Sequence, residues 1–347
     1  MTLSPVRSFS AVVLLSALAA CTSRNSSSPN SRAAPPSSEA APLFRFHVDF
    51  WANLNQVLLH EALVPRPLWE GPKSLKNRHV VQTDTLGPSD AAQWHEAIAY
   101  YDSHFTTHNL FDHFVGAMPA LLAVSSSQNP PTTTDLNEEW RRSLLLAGPI
   151  YRTHFWPEHE RKDRAYIEGI RPLLAAHGAW FANRLVAVFG MPLPTDSIDV
   201  EVTPAVPPFG GFTQGEPPYT PPHAAQITLS SEDPNFTGDT GVEMVFHEAS
   251  HLLVGRVQEK LEASAKGQGR KLPPRFWHDL IFYTAGHLAR DRFGPSYVPF
   301  AERPASRLFQ GENDPSLAIL KREWQPYLDG RVTMDAAVAA MVASLPN

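Results

Sequence analysis

The chain has 347 residues, 43% of them hydrophobic and 18% charged, a globular composition that excludes wholesale disorder, collagen and coiled coil. A formal charge of −6 gives no basic footprint for a nucleic-acid partner. One cysteine excludes an intrachain disulfide and any four-cysteine zinc site, so 15 histidines and the carboxylates are the only material for a metal centre.

In chain order, residues 1–20 read as a signal peptide. Met1 to Arg7 carries one positive charge, and Phe9 to Ala20 is an apolar run. A membrane-spanning helix needs about 20 residues, so this run has the size of a signal-peptide core instead. It ends Leu18-Ala19-Ala20-Cys21, which resembles the bacterial lipobox. The resemblance implies cleavage before Cys21, lipidation of Cys21 and anchoring of the chain to a membrane in the cell envelope. With Thr22 next in place of an aspartate, it points to the outer membrane, facing the periplasm. An ordinary signal peptide with an incidental cysteine is the alternative. Residues 21–42 are rich in Ser, Pro, Ala and Asn and read as a flexible tether.

Residues 43–347 show no internal repeat and no second linker and read as a single domain. Helical periodicity predicts helices over Phe46–Ala62, Ser89–Ser103, His108–Val124, Leu136–Arg152, Asp163–Phe189, Thr240–Ala265, Pro274–Arg292, Pro315–Leu328 and Thr333–Ser344, with Ser89 and Thr333 as N-caps. Alternation predicts strands at Ser197–Thr203 and Ala225–Leu229. The Pro-rich stretch Pro204–His223 between them reads as a long loop able to wall or cover a cleft. The fold class is α+β, predominantly helical, with a small sheet next to the Thr240 helix.

That helix carries His247-Glu248-Ala249-Ser250-His251, an HExxH string. Two histidines four residues apart project from one helix face and can share a zinc ion. Glu248 flanks them, about 100° around the axis from His247, where a base can act on metal-activated water. Chance supplies roughly 0.03 such strings in a chain of this composition. His60-Glu61-Ala62 and His95-Glu96-Ala97 repeat the opening without the second histidine. Val242, Val245, Phe246, Ala249, Leu252 and Leu253 form a buried stripe, and Glu243, His247 and His251 a separate polar one.

The arrangement resembles the zincin metallopeptidases from Ala225 to Arg292, and more broadly the segments Phe246–Leu252 and Trp277–Gly286 resemble uncharacterised bacterial zincin-like proteins. The resemblance implies a zincin-like core, His247 and His251 as ligands of one zinc ion, and Glu248 as general base. It also implies an edge strand, expected at Ala225–Leu229, that aligns a peptide substrate. Val254 and Val257 exclude the metzincin pattern, and the helix Phe276–His287 lacks the glutamate of the gluzincin pattern. His278 is the preferred third ligand, with Asp279 and His287 open. The aspzincin signature is absent.

Glu243 could hold a ligand histidine or be a partly exposed carboxylate. Tyr219 and Tyr283 could donate to an oxyanion or simply pack. Glu259 and Glu262 are expected to face solvent. His104, His108 and Asp112 read as a solvated face, and His154, Trp156 and His159 as a buried aromatic corner. Phe50, Trp51, Trp94, Tyr100 and Tyr101 read as core. The functional expectation is an envelope-tethered zinc hydrolase acting on a peptide or amide. A zinc-binding or degenerate lipoprotein serving as scaffold is the alternative.

Overall fold

A computed structural model describes residues 43–64, 78–105, 118–119, 121–122, 137–193, 197–206, 210–214, 225–304, 306, 308–309 and 314–346. The chain divides into two compact units, Met1–Ala40 and Ala41–Asn347, and every described residue lies in the second. Cys21, Tyr219, His108 and Asp112 lie outside the described residues, as does most of the expected helix His108–Val124. Among the described residues no helix is long and apolar enough to cross a membrane.

Helices dominate. They are α1 (Phe50–Leu63), α2 (Pro88–His104), α3 (Glu138–His154), α4 (Trp156–Phe189), α5 (Gly238–His251), α6 (Gly255–Gln268), α7 (Phe276–Phe293), α8 (Pro315–Ile319), α9 (Gln325–Leu328) and α10 (Met334–Ser344), and a π turn over Leu320–Trp324 joins α8 to α9. The strands are β1 (Phe44–His47), β2 (Ile198–Thr203), β3 (Gly211–Gln214) and β4 (Gln226–Ser230). They form one sheet in the order β1-β2-β4-β3, parallel except for β3.

Several sequence expectations change. The helix expected from Phe46 starts at Phe50, because Asp49 caps it by accepting from the Trp51 and Ala52 amides, and Phe44–His47 pairs with β2 instead. Gly87, not Ser89, precedes α2 as its N-cap, with Pro88 at the first helical position. Thr333 caps α10 by accepting from the Ala336 amide. The helix expected from Asp163 starts at Trp156, with Pro157 in its first turn. The helix expected over Thr240–Ala265 breaks after His251 into α5 and α6. Glu259 and Glu262 therefore sit on α6, where both face solvent.

The alternation in β2 and β4 sorts the sheet's two faces. Ile198, Val200, Val202, Ile227 and Leu229 enter the main core with α4, α5, α7 and the C-terminal helices. The opposite face is polar but covered, which the sequence pattern does not reveal. Glu201, Thr203, Thr228 and Ser230 are buried, and Asn53 of α1 donates to the Val202 carbonyl at 3.0 Å. Burial holds the Glu201 carboxyl well above the usual carboxylate range. A second core joins α1, α2 and α3 through Trp51, Trp94, Tyr101 and Trp140, against which Phe50 and Tyr100 pack partly buried. His159 is buried and bonded to Tyr151 and the Val80 carbonyl, while His154 is exposed.

Candidate metal centre

Helix α5 is wedged into the core by its apolar stripe. Phe246 stacks on Phe181 with centroids 4.9 Å apart and meets Phe44 edge-on at 5.2 Å. That packing fixes the rotation of the helix and turns His247, Glu248 and His251 toward α7 and β3. The helix ends at His251, so its second histidine sits on the last turn, beside the first turn of α7.

Helix α7 brings His278 to the pair. One nitrogen from each of His247, His251 and His278 lies within 4.8 Å of the other two. The ring centroids are 5.2 to 5.4 Å apart. Asp279 and His287 are not in this group. Asp279 is bonded to Ser316. His287 lies near Asp329 and Asp291, at 3.3 and 3.7 Å.

The three imidazoles suit a zinc ion. Burial, with the mutual repulsion any proton on the neighbouring histidines would meet and, for His278, the Arg275 guanidinium, holds His247 and His278 well below the usual histidine range. Burial alone pushes His251 down to about 4, although a fifth of its side chain remains open to solvent. All three are thus neutral at pH 7, the form that binds metal. Nδ1 of His247 is buried without a hydrogen-bond partner, a costly state unless a metal ion or another group bonds that nitrogen. Zinc–nitrogen bonds of about 2.0–2.1 Å place tetrahedral ligand atoms about 3.4 Å apart, within small ring rotations of this cluster.

Glu248 is buried beside the cluster, with Oε2 3.9 Å from Nε2 of His251. Its position depends on β3. The Thr213 hydroxyl lies 2.6 Å from Oε2 of Glu248 and 2.9 Å from its carbonyl. Gly211 leaves space for the carboxylate, since a Cβ there would lie 2.7 Å from Oε1. Both face α5 because their partners across the ladder, Leu229 and Ile227, do. Desolvation outweighs the Thr213 bond and pushes the Glu248 carboxyl up to about 7.

The strand next to the motif is therefore β3, not Ala225–Leu229. The latter is an interior strand paired on both sides, whereas β3 ends the sheet among the described residues. Sequence reasoning missed β3, Gly211 and Thr213, all inside the expected loop. Glu243 is fully buried, and its bonds differ from both readings of the sequence. It accepts from the Tyr297 hydroxyl at 2.5 Å and the Phe300 amide at 3.0 Å, and burial pushes it up to about 7. It fastens the Tyr297–Phe300 segment between α5 and Gly286 of α7, where a Cβ would meet Pro299 at 2.6 Å. Tyr283 donates to Oε1 of Gln325 at 2.8 Å.

Comparison of the chain with protein-family models, curated proteins and solved structures gives no match.

Proposed function

We propose that the protein is a zinc-dependent hydrolase, a peptidase by preference, built on a zincin-like core. The observation that carries this reading is the cluster of His247, His251 and His278 with the buried Glu248 at its side. When bound, zinc supplies a Lewis acid and lowers the pKa of water to about 7. Glu248 accepts the proton of the attacking water and returns it to the leaving amine. Its carboxylate, buried and held by the Thr213 hydroxyl at the side of the cluster, is positioned for both transfers. Three protein ligands, with Asp279 directed to Ser316, support an open fourth position over a closed structural site. Among the described residues β3 is the last strand of the sheet and bonds Glu248 through Thr213, so an extended peptide pairing along it would run beside the base. The lipobox-like sequence at Cys21 supports a lipid-anchored protein of the bacterial envelope, on the periplasmic side of the outer membrane.

Elemental mass spectrometry of the purified protein, with His247→Ala and His278→Ala beside it, tests the centre. About one zinc per chain, lost in both variants, is expected. A chain that takes up no zinc after incubation and dialysis overturns the reading in favour of a scaffold lipoprotein. Glu248→Gln is expected to keep the zinc and abolish peptide hydrolysis.

A further inference from the structure

Arg161, Lys162 and Tyr166, on adjacent turns of α4, line an open cavity of about 360 Å³. Ser231 and Glu232, from the connection between β4 and α5, form a second wall, and Arg78 a third. None of these residues belongs to the histidine cluster. The backbone under Arg78 is pinned. The His60 ring bonds the Arg78 carbonyl at 2.9 Å, the Val80 amide donates to Glu61 at 2.8 Å, and the His159 ring meets the Val80 carbonyl at 3.1 Å. The Ser231 hydroxyl ties the second wall to α4 by donating to Asp163. Glu232 then sets the cations. Its side chain is 8% exposed and pairs Nη2 of Arg78 at 2.9 Å and Nζ of Lys162 at 2.8 Å, while those two side chains stay 52% and 37% exposed. Each cation has more N–H donors than Glu232 takes.

We infer that this cavity binds a phosphate monoester, at a site separate from the metal centre and independent of the hydrolase reading. Three features choose the ligand. The lining carries three cations against the single carboxylate of Glu232, a surplus of two that matches a phosphate monoester, which carries about −1.5 to −2 at pH 7. Glu158, exposed outside that lining, pairs Arg161 at 2.7 Å and leaves the sum positive. A lone carboxylate would leave more of that charge unmatched. The donors come from two sides, Arg78 from one and Lys162 with Arg161 from the other, as a tetrahedral group with three acceptor oxygens requires. Tyr166 is buried at the same wall, and its hydroxyl has no hydrogen-bond partner among the described residues, so it is a further donor to a ligand oxygen. Because the buried Glu232 already directs Arg78 and Lys162, the phosphate meets ordered cations and loses little affinity to ordering them. The volume exceeds a bare phosphate and is in the range of a small-ligand site.

Calorimetry on the full chain tests this, with zinc stripped so that no phosphate is held by a metal. The probes are glycerol 3-phosphate and dihexanoylphosphatidic acid, with glycerol as the neutral control. Both probes present the same phosphate, one as a soluble metabolite does and the other as a lipid headgroup does. One glycerol 3-phosphate per chain is expected to bind, and glycerol is not. Equal affinity for the two phosphates assigns the site to a soluble monoester, and binding of the acylated probe about tenfold tighter or more assigns it to a lipid headgroup. Lys162→Gln is expected to weaken phosphate binding about tenfold or more. Arg161→Gln, at a side chain 65% exposed, is expected to weaken it about threefold and stands in should the first variant not fold. No saturable binding of either phosphate at millimolar concentration, or binding that the folded variants retain in full, overturns the site.

Discussion

The ring of Phe282 lies flat against the imidazole of His247, with 3.6 Å between centroids and 17° between planes. The same ring meets His278 edge-on at 4.8 Å. Phe282 is one helical turn beyond His278 on α7, so a single side chain braces one ligand from each helix. His247 has no hydrogen-bond partner for Nδ1, so its ring is held by packing, of which this stack is the closest ring contact. Phe282→Leu keeps most of the apolar volume and loses the flat face. It is expected to weaken zinc binding about tenfold, at the lower end of the cost of disturbing groups that orient ligands. The zinc-free protein should lose less than about 1.5 kcal/mol of stability. Chelator competition and urea unfolding measure the two. Unchanged zinc affinity would remove the bracing role.

Gly211 is placed by chemistry at the centre and not by backbone strain. The first atom an added Cβ meets is Oε1 of Glu248, the mobile end of a side chain, at 2.7 Å. The carboxylate can move aside, so Gly211→Ala should fold and load zinc normally. The displaced base should lose about a hundredfold in kcat, the scale of a 1 Å misplacement. Rates of peptide hydrolysis at matched zinc content read this. A variant with wild-type kcat would show that the contact has no bearing on catalysis.

Thr213 makes a separate contribution to the same carboxylate. Its hydroxyl is the hydrogen-bond donor at Oε2 of the buried Glu248. Thr213→Val keeps the shape and leaves a buried carboxylate without that donor. A bond to a charged group contributes about 1.5–3 kcal/mol, so kcat/KM should fall roughly tenfold or more. Thr213→Ser should restore most of it. If Ser and Val behave alike, the methyl group matters and the hydroxyl does not.

The parts of this site that were legible in the sequence share one property: they repeat at helical spacing. His247, Glu248 and His251 stand on a helix whose apolar stripe is visible, and His278 stands on another with similar packing. What stayed hidden depends on partners distant in the chain. Gly211–Gln214 is a four-residue strand in a Pro-rich stretch, and only its ladder with Gln226–Leu229 defines it. Phe44–His47 alternates, yet it abuts a longer helical pattern that absorbs it. The break spans Leu252, Leu253 and Val254, which continue the apolar helical pattern, and the glycine beside it, Gly255, opens α6 and reads as an ordinary mid-helix glycine. Pro157 was a readable helix start, since proline suits a first turn, but its aromatic neighbours suggested a corner. Glu243 looked like part of the histidine stripe because spacing does not show that Tyr297 and Phe300 return across the chain to bond it.

A buried acid on α4 sets a pH dependence of stability. Asp163 of α4 is fully buried. Its Oδ1 accepts from the Ser231 hydroxyl at 2.5 Å, and its Oδ2 has no partner. Burial, with Glu232 and Glu160 nearby, pushes its carboxyl up to about 8. In the unfolded chain an aspartate titrates near 3.9. The folded state therefore holds a proton that the unfolded state releases. The stability this gives is complete below about pH 4 and is lost as pH rises through about 8. Asp163→Asn cannot ionise and escapes that loss. Whatever its offset in acid, the melting temperature of the variant relative to wild type should rise by at least about 5 °C between pH 5 and pH 9. Scanning calorimetry of both proteins at the two pH values measures this. A difference that stays constant with pH would show that Asp163 is already ionised in the folded protein, and that Lys162 and Ser231 offset its burial.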